Sequence, residues 1–280
     1  MTGVAVITGT THGIGRVTSL ELARTGAQVL MLCRDARAGE VVRADIMTRV
    51  PGASVEVMAC DLASLDSVRR CAEAVRQSRP RLRLLINNAG TVSVAHRMSV
   101  DGYELTFATN HLGPFLLTNL LSGHLEEDAR IVNVASRAHF RGRMDLEDVD
   151  NPRARYRSAA AYARSKLANV LCTFALARRL AGSGVNVNCL HPGVIASNLL
   201  PRWLRLVKPF ISRPIFDVER GARTTLFLAL APHVAGASGL YFDEYQVPQP
   251  ASALARVIRL GGTRWHSDLC RTSRSAWATT

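Results

Sequence analysis

The feature that most constrains this chain is its N-terminal unit. Val4–Thr8 is a short β-branched apolar run, and Thr8-Gly9-Thr10-Thr11-His12-Gly13-Ile14-Gly15 joins it directly to the helical pattern Ile14–Arg24. A strand without polar alternation reads as covered on both faces, the situation of a parallel sheet between two helical layers. The unit then recurs. Gln28–Cys33, Ser54–Cys60, Leu82–Asn87, Arg130–Ala135, Val185–Leu190 and Gly239–Phe242 read as further strands. Between them lie helical patterns at Ala36–Arg49, Ser64–Gln77, Gly102–Leu121, about Ser158 to Leu180, and Val218–Leu230. Right-handed crossovers make this an α/β chain, a single-domain Rossmann-type doubly wound parallel sheet with helices on both faces.

Composition sets bounds on what that fold does. A length of 280 residues suits one α/β domain, and 48% hydrophobic with 20% charged residues excludes global disorder. Residues 1–245 form the expected catalytic domain, with a lid over about 194–217 and a C-terminal extension over 246–280. No run reaches the roughly 18–20 apolar residues of a membrane span, and no signal-peptide pattern precedes the first strand. The net charge of +13 comes almost wholly from scattered arginine, Lys166 and Lys208 being the two lysines. Without clustering or aromatic interleaving this reads as a solvated surface that attracts polyanionic cofactors or lipid head groups, with no nucleic-acid partner expected. The six cysteines lack metal-ligand spacing, so no metal and a reducing, cytoplasmic location are expected.

In such sheets ligands bind beyond the carboxyl ends of the strands. The glycines of the first turn, G-x3-G-x-G, permit a tight bend and let the backbone approach a pyrophosphate at a helix N-terminus, although an ordinary strand–helix loop uses glycine too. The second strand ends Leu32-Cys33-Arg34-Asp35, with arginine just past the point where NAD-binding folds place an acid. A guanidinium suits the 2′-phosphate of NADP, and Arg37 and His12 extend the same pocket; a solvent-facing helix cap is the plainer reading. Tyr162 and Lys166 stand one helical turn apart, so both project from one face. A nearby ammonium lowers the pKa of a phenol and fits it for acid–base work. Ser136 ends the fifth strand, where its hydroxyl can stabilise oxyanion charge or simply form a turn. Asn87-Asn88-Ala89-Gly90 and Asn110 place polar groups in apolar surroundings, where structural hydrogen bonds are the alternative.

Taken in order, Thr8-Gly-x3-Gly-Ile-Gly15, Asp61-Leu62, Asn87-Asn-Ala-Gly90, Asn110, Ser136, Tyr162-x3-Lys166 and Pro192-Gly193 resemble the short-chain dehydrogenase/reductase family over roughly residues 3 to 245. Asn110-His-Leu-Gly-Pro-Phe-Leu-Leu-Thr118, Ser165-Lys-Leu-Ala-Asn169, His191-Pro-Gly193 and Gly239-Leu-Tyr-Phe242 are similar to its retinol dehydrogenase group. The resemblance implies a catalytic set of Tyr162, Lys166, Ser136 and Asn110. Tyr162 is then the general acid/base, Ser136 its partner on the substrate oxygen, Lys166 the residue that lowers the tyrosine pKa and binds the nicotinamide ribose, and Asn110 the holder of a relay water. For NADP(H) it implies Gly9, Gly13 and Gly15 along the pyrophosphate, with Thr11, His12 and Ile14 of the same turn also at the cofactor, and Arg34 matches the arginine of NADP-preferring members, with Arg37 beside it. Asp61 falls at the adenine and Asn88 with Gly90 on the adenosine side, and Leu62, Ala89, Pro192, Gly193 and Ile195, with Tyr162 and Lys166, complete the cofactor contacts. Ser136 and Tyr162 are 26 positions apart, a longer gap than is typical of the family, and the segment Arg141–Arg157 accounts for it. Relatives in the group often carry an N-terminal anchor; here the first strand starts at residue 4, so a fixed membrane location is not inherited.

The expected reaction is NADP(H)-dependent interconversion of a lipophilic alcohol and its aldehyde or ketone. Reduction of an activated C=C bond, or catalytically idle cofactor binding, are the alternatives. Val194–Phe216 alternates apolar residues such as Leu199, Trp203 and Phe210 with Arg202, Arg205 and Lys208. It suits an apolar lid over the substrate or a peripheral membrane contact. A homo-dimer or tetramer packed through the Tyr162 helix follows from the resemblance.

Overall fold

The computed structural model describes residues 3–144, 156–193, 217–249 and 251. Eight strands form one sheet in the order β3-β2-β1-β4-β5-β6-β7-β8: β1 Val4–Thr8, β2 Gln28–Cys33, β3 Val55–Ala59, β4 Leu82–Asn87, β5 Leu125–Val134, β6 Asn186–Leu190, β7 Leu240–Phe242 and β8 Pro248–Gln249. The first seven run parallel, and β8 turns back antiparallel on β7. The helices are α1 Gly13–Arg24, α2 Ala36–Arg49, α3 Leu65–Ser78, α4 Leu105–Phe107, α5 Gly113–Leu121, α6 Ser158–Arg179 and α7 Val218–Leu230.

The uninterrupted apolar strands are explained by their two buried faces. Ala5 and Ile7 of β1 point to a core shared with Leu20, Leu22, Val42, Ile46 and Leu228 of α1, α2 and α7. Val4 and Val6 point to the opposite core with Val68 and Val75 of α3, Leu117 and Leu121 of α5, and Leu176 of α6. Each large aliphatic side chain fully buried in these layers, Ile7, Leu84 or Ile86 among them, contributes about 1.5–3 kcal/mol. Asp35, Ser64 and Asp217 cap α2, α3 and α7 by accepting from Ala38, Ser67 and Arg220 amides.

Three elements differ from the sequence expectation. β5 begins at Leu125 rather than at Arg130, and the acidic run Glu126-Glu127-Asp128 that disguised it extends the strand past its apolar core. Arg83 on β4 answers that run, with Glu126 at 3.2 Å and Asp128 also in contact. The helical stretch expected from Gly102 starts at Leu105 behind a Glu104 cap, and a π-helical turn, Ala108–Leu112, separates α4 from α5. β8 was not foreseen. It forms because Asp243 accepts from the Tyr245 and Val247 amides and from the Gln249 side chain, closing a turn that brings Pro248 to a sheet edge. Among the described helices none is long and apolar enough to cross a membrane.

Candidate active site

The strand order reverses about β1 and β4, and the ends of these two strands touch. A β-carbon on Gly9, whose φ is +72°, would lie 2.7 Å from the Ala89 α-carbon. Asn88 clamps the contact: its side-chain amide donates to the Thr8 and Gly9 carbonyls at 2.9 and 3.1 Å, and its backbone N–H to the Thr8 hydroxyl at 3.0 Å. The Asn88 side chain thus shapes the glycine turn from behind. Gly15 lets α1 close on that turn, since a β-carbon there would overlap the Gly9 carbonyl oxygen and sit 2.5 Å from the Asn88 amide nitrogen.

This arrangement fits a dinucleotide. α1 starts behind His12, which makes no side-chain cap, and its first turn holds no acid, so its amides and partial positive charge are open to an anion. At Gly13, φ +61°, a β-carbon would meet nothing within 4 Å, so the turn is open in front of the helix start. Thr11 lies beside it with its hydroxyl 3.0 Å from His12 Nδ1, and Ile14 is half-buried on the first helical turn. Past β2, Asp35 is turned into its own helix as the cap, while Arg34 and Arg37 are exposed and form no ion pair with described residues. At the end of β3, half-buried Asp61 accepts from the Ala63 amide at 3.0 Å, and Leu62 is buried against α5, its carbonyl fitting the space a side chain on Gly113 would take.

The other end of the site is set by α6. Lys166 is 3% exposed, and its ammonium donates to the Val134 carbonyl at 2.8 Å, 5.7 Å from the Tyr162 ring centre. Burial pushes this lysine down to about 8. Tyr162 is pushed up by burial, and a hydrogen bond from Ser136 pulls it the other way. Any lowering of the phenol by its lysine is outweighed here: the ammonium is itself desolvated and bonded to a carbonyl, and burial leaves the phenol raised on balance. A phenol held protonated is an acid ready to give its proton to an oxygen that gains charge. Ser136 caps the 3-10 turn Arg137–Arg141, accepting from the Ala138 amide at 3.2 Å.

Asn110 sits in the π-helical turn. Its amide donates to the Thr91 carbonyl at 2.9 Å and the Ser165 hydroxyl at 3.0 Å, and accepts from the Thr91 amide at 2.7 Å. Ser165 passes the contact on to the Tyr162 carbonyl at 2.8 Å. The Asn110 side chain is thereby satisfied by protein. A β-carbon on Gly90 would stand 3.6 Å from both Asn110 Oδ1 and Lys166 Nζ, which brings the β4 end beside the buried lysine. Below them a buried ladder ties the layers: Asn87 donates to Thr118 and Asn133 at 2.8 Å, and Asn133 to Thr173 at 2.9 Å. Pro192 and Gly193 follow β6 on the same side of the sheet, while Ile195 lies outside the described residues. So does most of the expected lid. Sequence reasoning passed over Ser165, Glu104 and Tyr156 as site-building residues; Ser165 was visible only as part of a family motif.

The short chain dehydrogenase family profile matches residues 3–205. The chain belongs to this family. It is 41% identical over 260 residues to retinol dehydrogenase 14 of Mus musculus, covering 85% of this chain and 77% of that protein. It is also 41% identical over 256 residues to retinol dehydrogenase 13 of Homo sapiens, covering 88% and 77%. These matches place it in the retinol dehydrogenase-like group. Among solved structures it superposes on an uncharacterized protein from Mycobacterium Paratuberculosis with a TM-score of 0.75 at 36% identity, covering 95% of this chain and 91% of that one. A Beutenbergia cavernae protein described as an NAD(P)-dependent gluconate 5-dehydrogenase, with NADP at low occupancy, gives 0.71 at 29% identity, covering 86% and 94%. The chain is accordingly a nicotinamide-dependent oxidoreductase of alcohol or carbonyl groups.

Proposed function

We propose that this short-chain dehydrogenase uses NADP(H) to interconvert a lipophilic alcohol and its aldehyde or ketone. The observation that carries the cofactor choice is the end of β2, where Asp35 serves as a helix cap and Arg34 and Arg37 stand exposed without an ion pair among the described residues. Two guanidinium groups favour a 2′-phosphate over a 2′-hydroxyl. The similarity to retinol dehydrogenases supports an apolar substrate.

In the direction of reduction, a nicotinamide held in this site would supply the hydride that the carbonyl carbon takes up. Tyr162 gives its phenolic proton to the carbonyl oxygen, and Ser136 donates to the same oxygen, stabilising the charge that gathers there. Lys166 steadies the phenolate left behind, a task for a cation held within a few ångströms in a site of low polarity. The turn from Gly9 to Gly15 would hold the pyrophosphate, and Asn110 with Ser165 fixes the helix that carries the tyrosine. The test is NADPH oxidation across aldehydes and ketones of rising apolar size. Wild-type turnover should favour the bulky members, and Tyr162→Phe should lower it by about 10²–10⁴-fold with NADPH binding kept. Binding of NADPH without carbonyl reduction by the wild type would refute the proposal and favour C=C reduction.

A further inference from the structure

We infer that Tyr156 is a positioning residue for substrate selectivity, acting through the loop between β4 and α4. This rests on the carbonyl-reducing reaction proposed above. Tyr156 stands two residues ahead of α6 and six ahead of Tyr162. Its hydroxyl leaves that segment and lies 2.8 Å from the Ser93 carbonyl and 3.2 Å from Glu104 Oε1, sharing one proton between two acceptors. The ring packs edge-on against His96 at 5.4 Å. Three points of one loop, Ser93, His96 and Glu104, therefore meet one side chain that belongs to the approach to the catalytic helix.

Glu104 makes the contact unusual. It is 1% exposed and forms no ion pair among the described residues. Its carboxylate accepts the Thr106 and Phe107 amides at 2.8 Å each, where the start of α4 offers free donors. Tyr156 adds the side-chain donor that such a buried charge requires. Burial and the adjacent carboxylate push the Tyr156 hydroxyl up, while Thr106 and Ser93 pull the other way, so the group stays a donor at working pH. The Ser93 amide is fixed in turn to Thr106 Oγ1 at 3.1 Å.

The pinned loop starts at the site. It leaves Gly90 beside Lys166, and Thr91 is locked to both sides of the Asn110 amide. Between its anchors it carries exposed apolar side chains: Val94 is 83% exposed and Met98 44%. Val94 follows Ser93 directly, so the Tyr156 contact sets the height of an apolar loop that rises from the carboxyl end of β4, the side of the sheet on which Tyr162 works. The selected ligand is an apolar aldehyde or ketone large enough to reach beyond the reacting carbonyl.

Tyr156→Phe removes the contact and keeps the ring. In steady-state assays with NADPH, KM for bulky apolar carbonyls should rise about tenfold relative to KM for acetaldehyde, with kcat and NADPH affinity within about twofold. Val94→Ser, at an exposed position that does not endanger folding, should raise the same KM ratio several-fold. An unchanged KM ratio in both variants, with only a lowered Tm for Tyr156→Phe, would overturn the inference and leave a structural brace. Hydrogen exchange separates this from a failure of the proposed reaction. If the wild type reduces no carbonyl, the reaction is wrong and selectivity for carbonyls falls with it. Faster exchange over residues 91–104 in Tyr156→Phe then shows that the contact holds the loop but overturns the selectivity role, and unchanged exchange removes the loop contact too.

Discussion

Replacing Lys166 with methionine should stabilise the chain at neutral pH while it abolishes turnover. The ammonium is 3% exposed and bonded to the Val134 carbonyl at 2.8 Å, and burial lowers it from an ordinary 10.5 to about 8. That gap corresponds to about 3 kcal/mol. Below pH 8 the lysine is charged in both states, and the folded state bears the full desolvation penalty. Between 8 and 10.5 the unfolded chain holds a proton that the folded chain has lost, so stability rises with pH; above 10.5 the penalty is gone. Methionine occupies the volume of the lysine stem but leaves the Val134 carbonyl without its donor, which costs about 1 kcal/mol. The variant should therefore be about 2 kcal/mol more stable than wild type at pH 7, and about 1 kcal/mol less stable well above pH 10. Urea unfolding followed by circular dichroism, run on both proteins across that range, reads the difference directly, and titrations common to both cancel. A difference that stays flat from pH 7 to 10.5, or a variant less stable at pH 7, would refute the reasoning. A group that destabilises its own fold is the expected pattern where function needs a buried charge, the role proposed here for Lys166.

Two further substitutions probe the cofactor end. Arg34→Glu reverses an exposed charge at the end of β2, so NADPH affinity should fall by at least about tenfold with NADH affinity little changed, read by fluorescence titration. Gly15→Ala forces a β-carbon onto the Gly9 carbonyl and the Asn88 amide; it should lower stability by about 1–3 kcal/mol in urea unfolding and weaken both dinucleotides together, because the turn and α1 must part.

Much of the fold is legible because burial on both faces writes itself into the strands. β1, β2 and β4 are apolar through most of their length and bounded by turn residues or polar positions, so their limits were readable to the residue. Where burial is partial the reading failed. The first half of β5 carries three acids in a row at an end of the sheet beyond the helices, and only Arg83 on the neighbouring strand reveals it as a strand. β8 depends on Asp243 folding back to accept three donors, a contact that no periodicity encodes.

The site divides in the same way. The sequence by itself determined which residue types were present and in what order: glycines after the first strand, arginine after the second, serine at the end of the fifth, and a tyrosine and a lysine one helical turn apart. Local geometry suffices for these, since a strand end and a helix face are fixed by backbone period. Only the tertiary structure decided their protonation and their supports. Whether a lysine lowers a tyrosine depends on how deeply both are buried and on which carbonyl takes the ammonium, here Val134 on a different element. The Asn88 clamp on Thr8 and Gly9, and the Tyr156 contact with Ser93 and Glu104, span 52 to 80 positions of sequence. Such pairings arise from the stacking of strands and helices, and desolvation is a property of that stacking as a whole.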